Sequence, residues 1–352
     1  MLIYLLKRLA AIVPTLLGVL TITFLVTQFV PGGPVDHMLA QIDGADVRSG
    51  GEAESSGGWS YSGRSGIDAA QIGQLSELYG FDRPPLERYW QMLKNFARFE
   101  FGDSYFHNQS VWSLIKDKLG VSVSLGVWTF FLTYLVSVPL GIAKAVRAGS
   151  RFDFITSLLV LAGYAVPGFV LGVLLILLFG GGSFWDIFPL RGLTSDNFDE
   201  LTPLGKATDY LWHVTLPVIA SVVSHFAMKT LLTKNMFLEE IRRQYVLTAR
   251  AKGLSERQVL WKHVFRNTLL PLVTGFPATF IAAFFTGSLL IETLFSIDGL
   301  GLLSYESINS RDYPVVLGTL YLFTLIGLFV KLAGDIAYVL VDPRIRFSAQ
   351  EN

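Results

Sequence analysis

The sequence predicts an all-α integral membrane protein with six transmembrane helices, and three observations carry that prediction. Hydrophobic residues make up 51% of the 352 with glycine left uncounted, and mean hydropathy is +0.48, both above ordinary globular usage. The excess is gathered into blocks of roughly 17–25 residues, the length an α-helix needs to cross the hydrocarbon core. Lysine and arginine crowd the segments on one side of those blocks. Formal charge is zero, so total charge argues for no nucleic-acid or acidic partner. There is no cysteine, which removes disulfides, thiolate nucleophiles and cysteine-ligated metal.

Four apolar runs are clear, at 9–30, 121–142, 155–179 and 269–295, free of charge except for Glu292 near the end of the last. Two are weaker: 211–228 contains His213, Pro217 and His225, and 315–341 carries Lys331 and Asp335. The first run follows Lys7 and Arg8 but is long for a secretory core and has no evident cleavage site, so it is read as an uncleaved anchor over 1–30. With the N-terminus inside, sixteen Lys/Arg fall on the cytoplasmic side, nine of them between Lys229 and Arg266, against eleven spread over about twice the length outside. Both termini are therefore expected in the cytoplasm, with a tail at 342–352.

The outer segment at 31–116 divides by composition. Residues 43–66 are rich in Gly and Ser and poor in large aliphatics, so no packed core is expected there. From Asp68, Ile72, Leu75 and Leu78 share a helical face that Gly80 closes, and 86–99 reads as a second helix with Tyr89, Trp90, Phe96 and Phe99. These helices form an outer cap between the first and second spans. It is either a plug over the bundle or a part of substrate handling.

Within the region 117–341, the inner loop at 229–267 is the most legible stretch. A helical pattern through Leu238, Ile241, Tyr245 and Ala249 reaches Gly253, which suits the left-handed position past a helix end. Ser255 with Gln258 three residues later has the form of a capping box opening another helix. Ala249 and Ala251 keep the flank of the turn low, Arg250, Lys252 and Arg257 surround it with positive charge, and Leu254 follows the glycine. Such a knob suits docking of a separate ATPase. An ordinary basic loop that fixes topology and touches headgroups has the same grammar.

The loop text YVLTARAKGLSERQVLWKHVFRNTLLP resembles the coupling segment of ABC importer permeases of the dipeptide/oligopeptide/nickel family. So do FGDSY (101–105), ETLFSIDGLG (292–301), RDYPVVLGTL (311–320) and VDPRIRF (341–347). Within that family, the PGGPVD start of the outer segment is similar to the B-type permeases of importers of peptides and microcin C. The resemblance implies a type-1 permease bundle in the bacterial inner membrane, paired with a second homologous permease. It also implies two ATPase subunits on the inner face, a periplasmic solute-binding protein on the outer, and peptide as the solute. A coupling helix around Ala249, Arg250, Ala251, Lys252, Gly253, Leu254 and Ser255 would enter the ATPase. ATP and Mg would be bound by those partners and no cofactor by this chain, which lacks a G-x-x-x-x-G-K-[ST] loop. The wider importer motif has Glu-Ala-Ala six residues before the glycine and proline thirteen after. Leu247, Thr248 and Ala249, and then Arg266, stand there, so the glutamate contact does not carry over.

Gly163, Pro167, Gly168 and Gly172 in the third run, and Pro271 and Pro277 in the fifth, mark bent helices whose freed carbonyls line a path, or else sites of tight packing. Lys331 and Asp335, four residues apart, read as an intramembrane charge pair, either structural or shifting against the partner permease. Glu292 and Asp298 either receive a partner or peptide amine or shape a turn. His213 and His225 have no third ligand near, and no metal site is expected. No G-x-S-x-G, H-E-x-x-H or paired intramembrane aspartates support an embedded enzyme. A nickel-chelate permease of the same family and an ion-driven secondary transporter are the remaining alternatives.

Overall fold

The computed structural model describes residues 2–29, 83–180, 184–277, 279–280 and 288–341. The Gly/Ser-rich stretch, the helix expected over 68–80 and the tail at 342–352 lie outside the described residues. The elements are α1 (Leu2–Phe29), α2 (Pro85–Phe96), α3 (Val111–Val146), α4 (Arg151–Ala165), α5 (Gly168–Phe179), α6 (Pro203–Ile241) and α7 (Gln244–Ala251). They continue with α8 (Glu256–Gln258), a π turn (Val259–Val264), α9 (Phe265–Thr274), α10 (Ser288–Leu294), α11 (Leu300–Ser310) and α12 (Tyr313–Val341). Among the described residues the extended pairing amounts to one isolated bridge, Asp103 with Ser110.

Four stretches are long and apolar enough to cross a membrane as single helices: Leu6–Phe29, Val111–Val146, Pro203–Ile241 and Tyr313–Ile336. The third sequence run differs from a kinked span, because α4 and α5 meet at 94°. Pro167 forces the break: it cannot continue the ladder of α4, and it drives Val166 into the extended region at ψ 116°. The fifth run is described only in α9, α10 and a few residues between them. An all-helical membrane architecture with four to five candidate spans results.

The chain divides into two compact units. The unit made of Ala10–Asp117 and Leu303–Leu325 contains α2 and parts of α1, α3, α11 and α12. Tyr89 of α2 bonds Thr21 of α1 at 2.6 Å and packs on Phe24, and Arg88 donates to Gln28 at 2.5 Å. Phe96, Phe101 and Tyr321 form a ring cluster with centroids 5.0–5.6 Å apart. Asp312, fully buried, accepts from Ser104 Oγ and from the Tyr105 amide at 3.2 Å, so FGDSY and RDYPVVLGTL are two halves of one joint. Gly318 completes it, since a Cβ there would lie 2.7 Å from Val111.

In the unit made of Met1–Leu9, Lys118–Leu302 and Ile326–Asn352, α6 is the central element. Its apolar face, with Val214, Leu216, Val218 and Ala220, packs with Leu125, Ile291, Phe295 and Ile297. Small residues permit close crossings without a hydrophobic driving force between helices. A Cβ on Gly141 would lie 2.7 Å from Thr233, and one on Gly172 2.7 Å from Leu294. At one end of these helices Asp153 takes both carboxylate oxygens of its side chain to Lys234 Nζ, at 2.7 and 2.8 Å. Lys144, fully buried, lies 3.2 Å from the same carboxylate and donates to the Asp153 carbonyl, Thr156 and Ser157. Removing one member of a buried pair strands the other charges. Asp153→Asn should therefore lower stability by about 3 kcal/mol, read as a reduced melting midpoint in detergent. An unchanged midpoint would mean that solvent already compensates the two lysines.

Candidate functional site

The loop after α6 folds on its own small core. Val246 and Ala249 of α7 and Val259 and Val264 of the π turn bury against Phe237 of α6 and Ala145 of α3, with Ile241, Tyr245, Leu254 and Phe265 packed around them. The helix expected to run unbroken from Leu238 to Ala249 is interrupted at Arg242 and Arg243, which lets α7 turn its apolar side onto that core. Tyr245 donates to Glu240 at 2.9 Å. Burial raises its phenol to about 12; Asn267 opposes the shift and Glu240 reinforces it, so Tyr245 remains a neutral donor at neutral pH.

The turn has the geometry its residues predict. Gly253 has φ +81°, a conformation costly for any residue with a Cβ. Ser255 and Gln258 make both bonds of the capping box, at 3.1 and 3.4 Å. Arg250 clamps the turn through Glu256 at 2.9 Å.

The structure divides the seven residues singled out from the sequence. Arg250, Ala251, Lys252, Gly253 and Ser255 are exposed, whereas Leu254 is half-buried and Ala249 is buried. Ala249 therefore does not lower an outward flank; its small side chain lets α7 sit against the internal core. Leu247, which the sequence placed only as a departure from the wider importer motif, and Trp261 are 59% and 54% exposed on the same loop. Their signal was available, since each is a large apolar residue off the inward stripe of its helix.

The remaining sequence candidates take structural positions. Gly168 crosses α6 so closely that a Cβ would meet Ser224 and, at 2.9 Å, the Ala220 carbonyl, while Gly163 makes only ordinary contact with Val223. Pro277 is buried and packs on Gly334. Asp335 lies 3.3 Å from Arg8, a partner that the i, i+4 spacing with Lys331 did not name, and Lys331 is exposed. Glu292, fully buried, accepts from Ser122 Oγ at 3.1 Å and from the Leu302 amide at 2.7 Å, and Asp298 pairs with Lys118. Glu292 thus shapes the turn into α11. His213 bonds the Asp209 carbonyl at 2.8 Å, and among the described residues no three His, Asp or Glu side chains converge as metal ligands.

Ser255→Ala should cost about 1 kcal/mol by removing the cap, and Gly253→Ala about 1–2 kcal/mol by forcing a Cβ into the left-handed region. Both losses should appear as faster amide exchange confined to the loop; protection equal to wild type would exclude a pre-set turn.

A family model described as "Binding-protein-dependent transport system inner membrane component" matches residues 137–347. The inner membrane ABC transporter permease protein YejB of Escherichia coli O157:H7 is 54% identical, across 99% of this chain and 99% of that protein. The peptidoglycan transport system permease protein YejB of Agrobacterium fabrum (strain C58) is 55% identical, again over 99% of each. The dipeptide transport system permease protein DppB of Escherichia coli (strain K12) is 30% identical over 98% of this chain and 99% of that protein. The resemblance drawn from the loop and its companion motifs is thereby borne out. The chain belongs to the family of binding-protein-dependent transport system inner membrane components, as a multi-pass ABC transporter permease of the inner membrane.

Proposed function

We propose that this permease forms half of the path through which an ATP-driven importer moves peptides across the inner membrane. The observation that carries the reading is the exposed turn at Gly253, rigidly joined to two membrane helices through the core of Phe237, Ala145, Val246 and Val259. A surface pushing on this turn cannot slide past it, because displacement of α7 would open that core. The push passes to α6 and α3, and Asp153 between Lys144 and Lys234 ties α4 to the same movement. Lys252 and Arg257 supply positive charge, and exposed Leu247 and Trp261 supply apolar area, to an ATPase groove of complementary chemistry.

In this reading six spans pair with those of a second, homologous permease, both termini are cytoplasmic, and a periplasmic binding protein delivers solute to the outer face. The cap built on α2 stands on that outer face. ATP binding closes the paired ATPases, the coupling turns move together, and the bundles rock between inward- and outward-facing states. ATP and Mg are held by the ATPase subunits; this chain conducts and gates. Peptide as solute is supported by the names of the relatives, which speak of dipeptide and peptidoglycan transport.

Purified chain should capture its ATPase subunits, and vesicles holding the full set of subunits should take up labelled peptide only with ATP. Gly253→Pro should lose capture and uptake together. Uptake that follows an ion gradient without ATPase would overturn the assignment. Leu247→Ser with Trp261→Ser should weaken capture about tenfold or more if those side chains lie in the docking surface; capture equal to wild type would place them against lipid headgroups.

A further inference from the structure

Lys229 is a membrane-embedded cation whose partners are of an unusual kind. Its Nζ donates to Thr279 Oγ1 at 2.8 Å and to Tyr134 OH at 3.1 Å, and it stands 4.8 Å from the centroid of the Tyr134 ring. Phe276 packs on Phe130 at 4.3 Å and on Tyr134 at 5.4 Å, which gives the cluster an aromatic wall. Lys144 and Lys234 share Asp153, and Lys118 has Asp298. Among the described residues Lys229 has hydroxyls and a ring, but no carboxylate, as partners.

The cluster lies inside the hydrocarbon layer whichever way the helix points. Tyr134 is eight residues from one end of the run at 121–142 and thirteen from the other, about 12 and 20 Å at 1.5 Å per residue. Lys229, Tyr134 and Thr279 are only half-buried, and Phe276 is exposed, so one side of the cluster is uncovered in the isolated chain. Lipid tails cannot solvate an ammonium and two hydroxyls, so a polar medium must cover that side. In a permease the medium available at this depth is the transport path. An ammonium whose acceptors are neutral hydroxyls, with no carboxylate beside it among the described residues, is complementary to a carboxylate.

We propose that Lys229 is the point on the path that takes the carboxylate of a passing peptide. Tyr134 and Thr279 hold the ammonium, and Phe130 and Phe276 offer ring faces to apolar side chains. This rests on the peptide-importer reading above. A single cation without a fixed anion attracts the carboxylate yet releases it, as conduction requires. The C-terminal carboxylate is common to all linear peptides, and acidic side chains present the same group.

The test uses the complete importer in vesicles, with co-purification of all subunits checked for each variant. Uptake is measured for a neutral tripeptide with a free carboxyl terminus, its C-terminal amide, and the amide carrying one glutamate. Lys229→Gln should lower uptake of the free acid roughly tenfold, the worth of a charged hydrogen bond, and leave the neutral amide at its wild-type value. Lys229→Arg should keep most of the free-acid uptake. A fall for the glutamate amide as well identifies any carboxylate as the ligand; no fall there identifies the C-terminus. An equal fall for free acid and neutral amide would mean that Lys229 pairs with the partner permease or only supports packing, and no fall for either would remove it from the path; both overturn the proposal. Wild-type vesicles that take up none of the peptides would instead defeat the peptide reading itself.

Discussion

The carboxylate of Asp153, held between Lys144 and Lys234, is the interaction on which the α3–α4–α6 assembly depends. Three charges out of bulk water are tolerable only as a set, and the set is completed by Thr156, Ser157, the Gly149 amide and the Asp153 carbonyl. Because Lys144 ends α3, Asp153 begins α4 and Lys234 lies far along α6, satisfying them fixes the relative register of three helices. The close crossing of α3 on α6 at Gly141, where a Cβ would meet Thr233, belongs to that register.

From that anchor the distance along the chain to the turn at Gly253 is short. Phe237 is three residues beyond Lys234 on α6, and Ala145 directly follows Lys144 on α3. The ion cluster and the core under α7 are therefore built on the same two helix ends. A turn seated on such a base has little compliance, because packed cores have discrete arrangements. The loop has apolar packing beneath and charge on its exposed rim.

Polar residues elsewhere do similar work where backbone direction changes. Glu292 gathers Ser122 and the Leu302 amide, and Asp312 gathers Ser104 and the Tyr105 amide. Each is a buried acceptor: Glu292 satisfies an amide at the start of α11, and Asp312 satisfies one in the turn that precedes α3.

The sequence by itself determined the helical class, most span positions, the helix α2, the left-handed Gly253 and the Ser255 capping box. All of these follow from local rules: run length against bilayer thickness, 3.6-residue periodicity, and the φ that only glycine takes easily. Tertiary structure decided the rest. Periodicity placed Ala249 on a helix but could not say that its face turns inward, which depends on the break at Arg242 and Arg243. Pro167 announced a bend, and only packing of α4 and α5 on α6 set it at 94°. Spacing suggested Lys331 for Asp335, yet Arg8, more than three hundred residues away in the chain, lies beside it. Lys229 read as one more basic residue at the end of a run until α3 and the residues beyond α9 surrounded it with hydroxyls and rings. A charge finds its partner through space, and sequence spacing reports only the neighbours on its own helix.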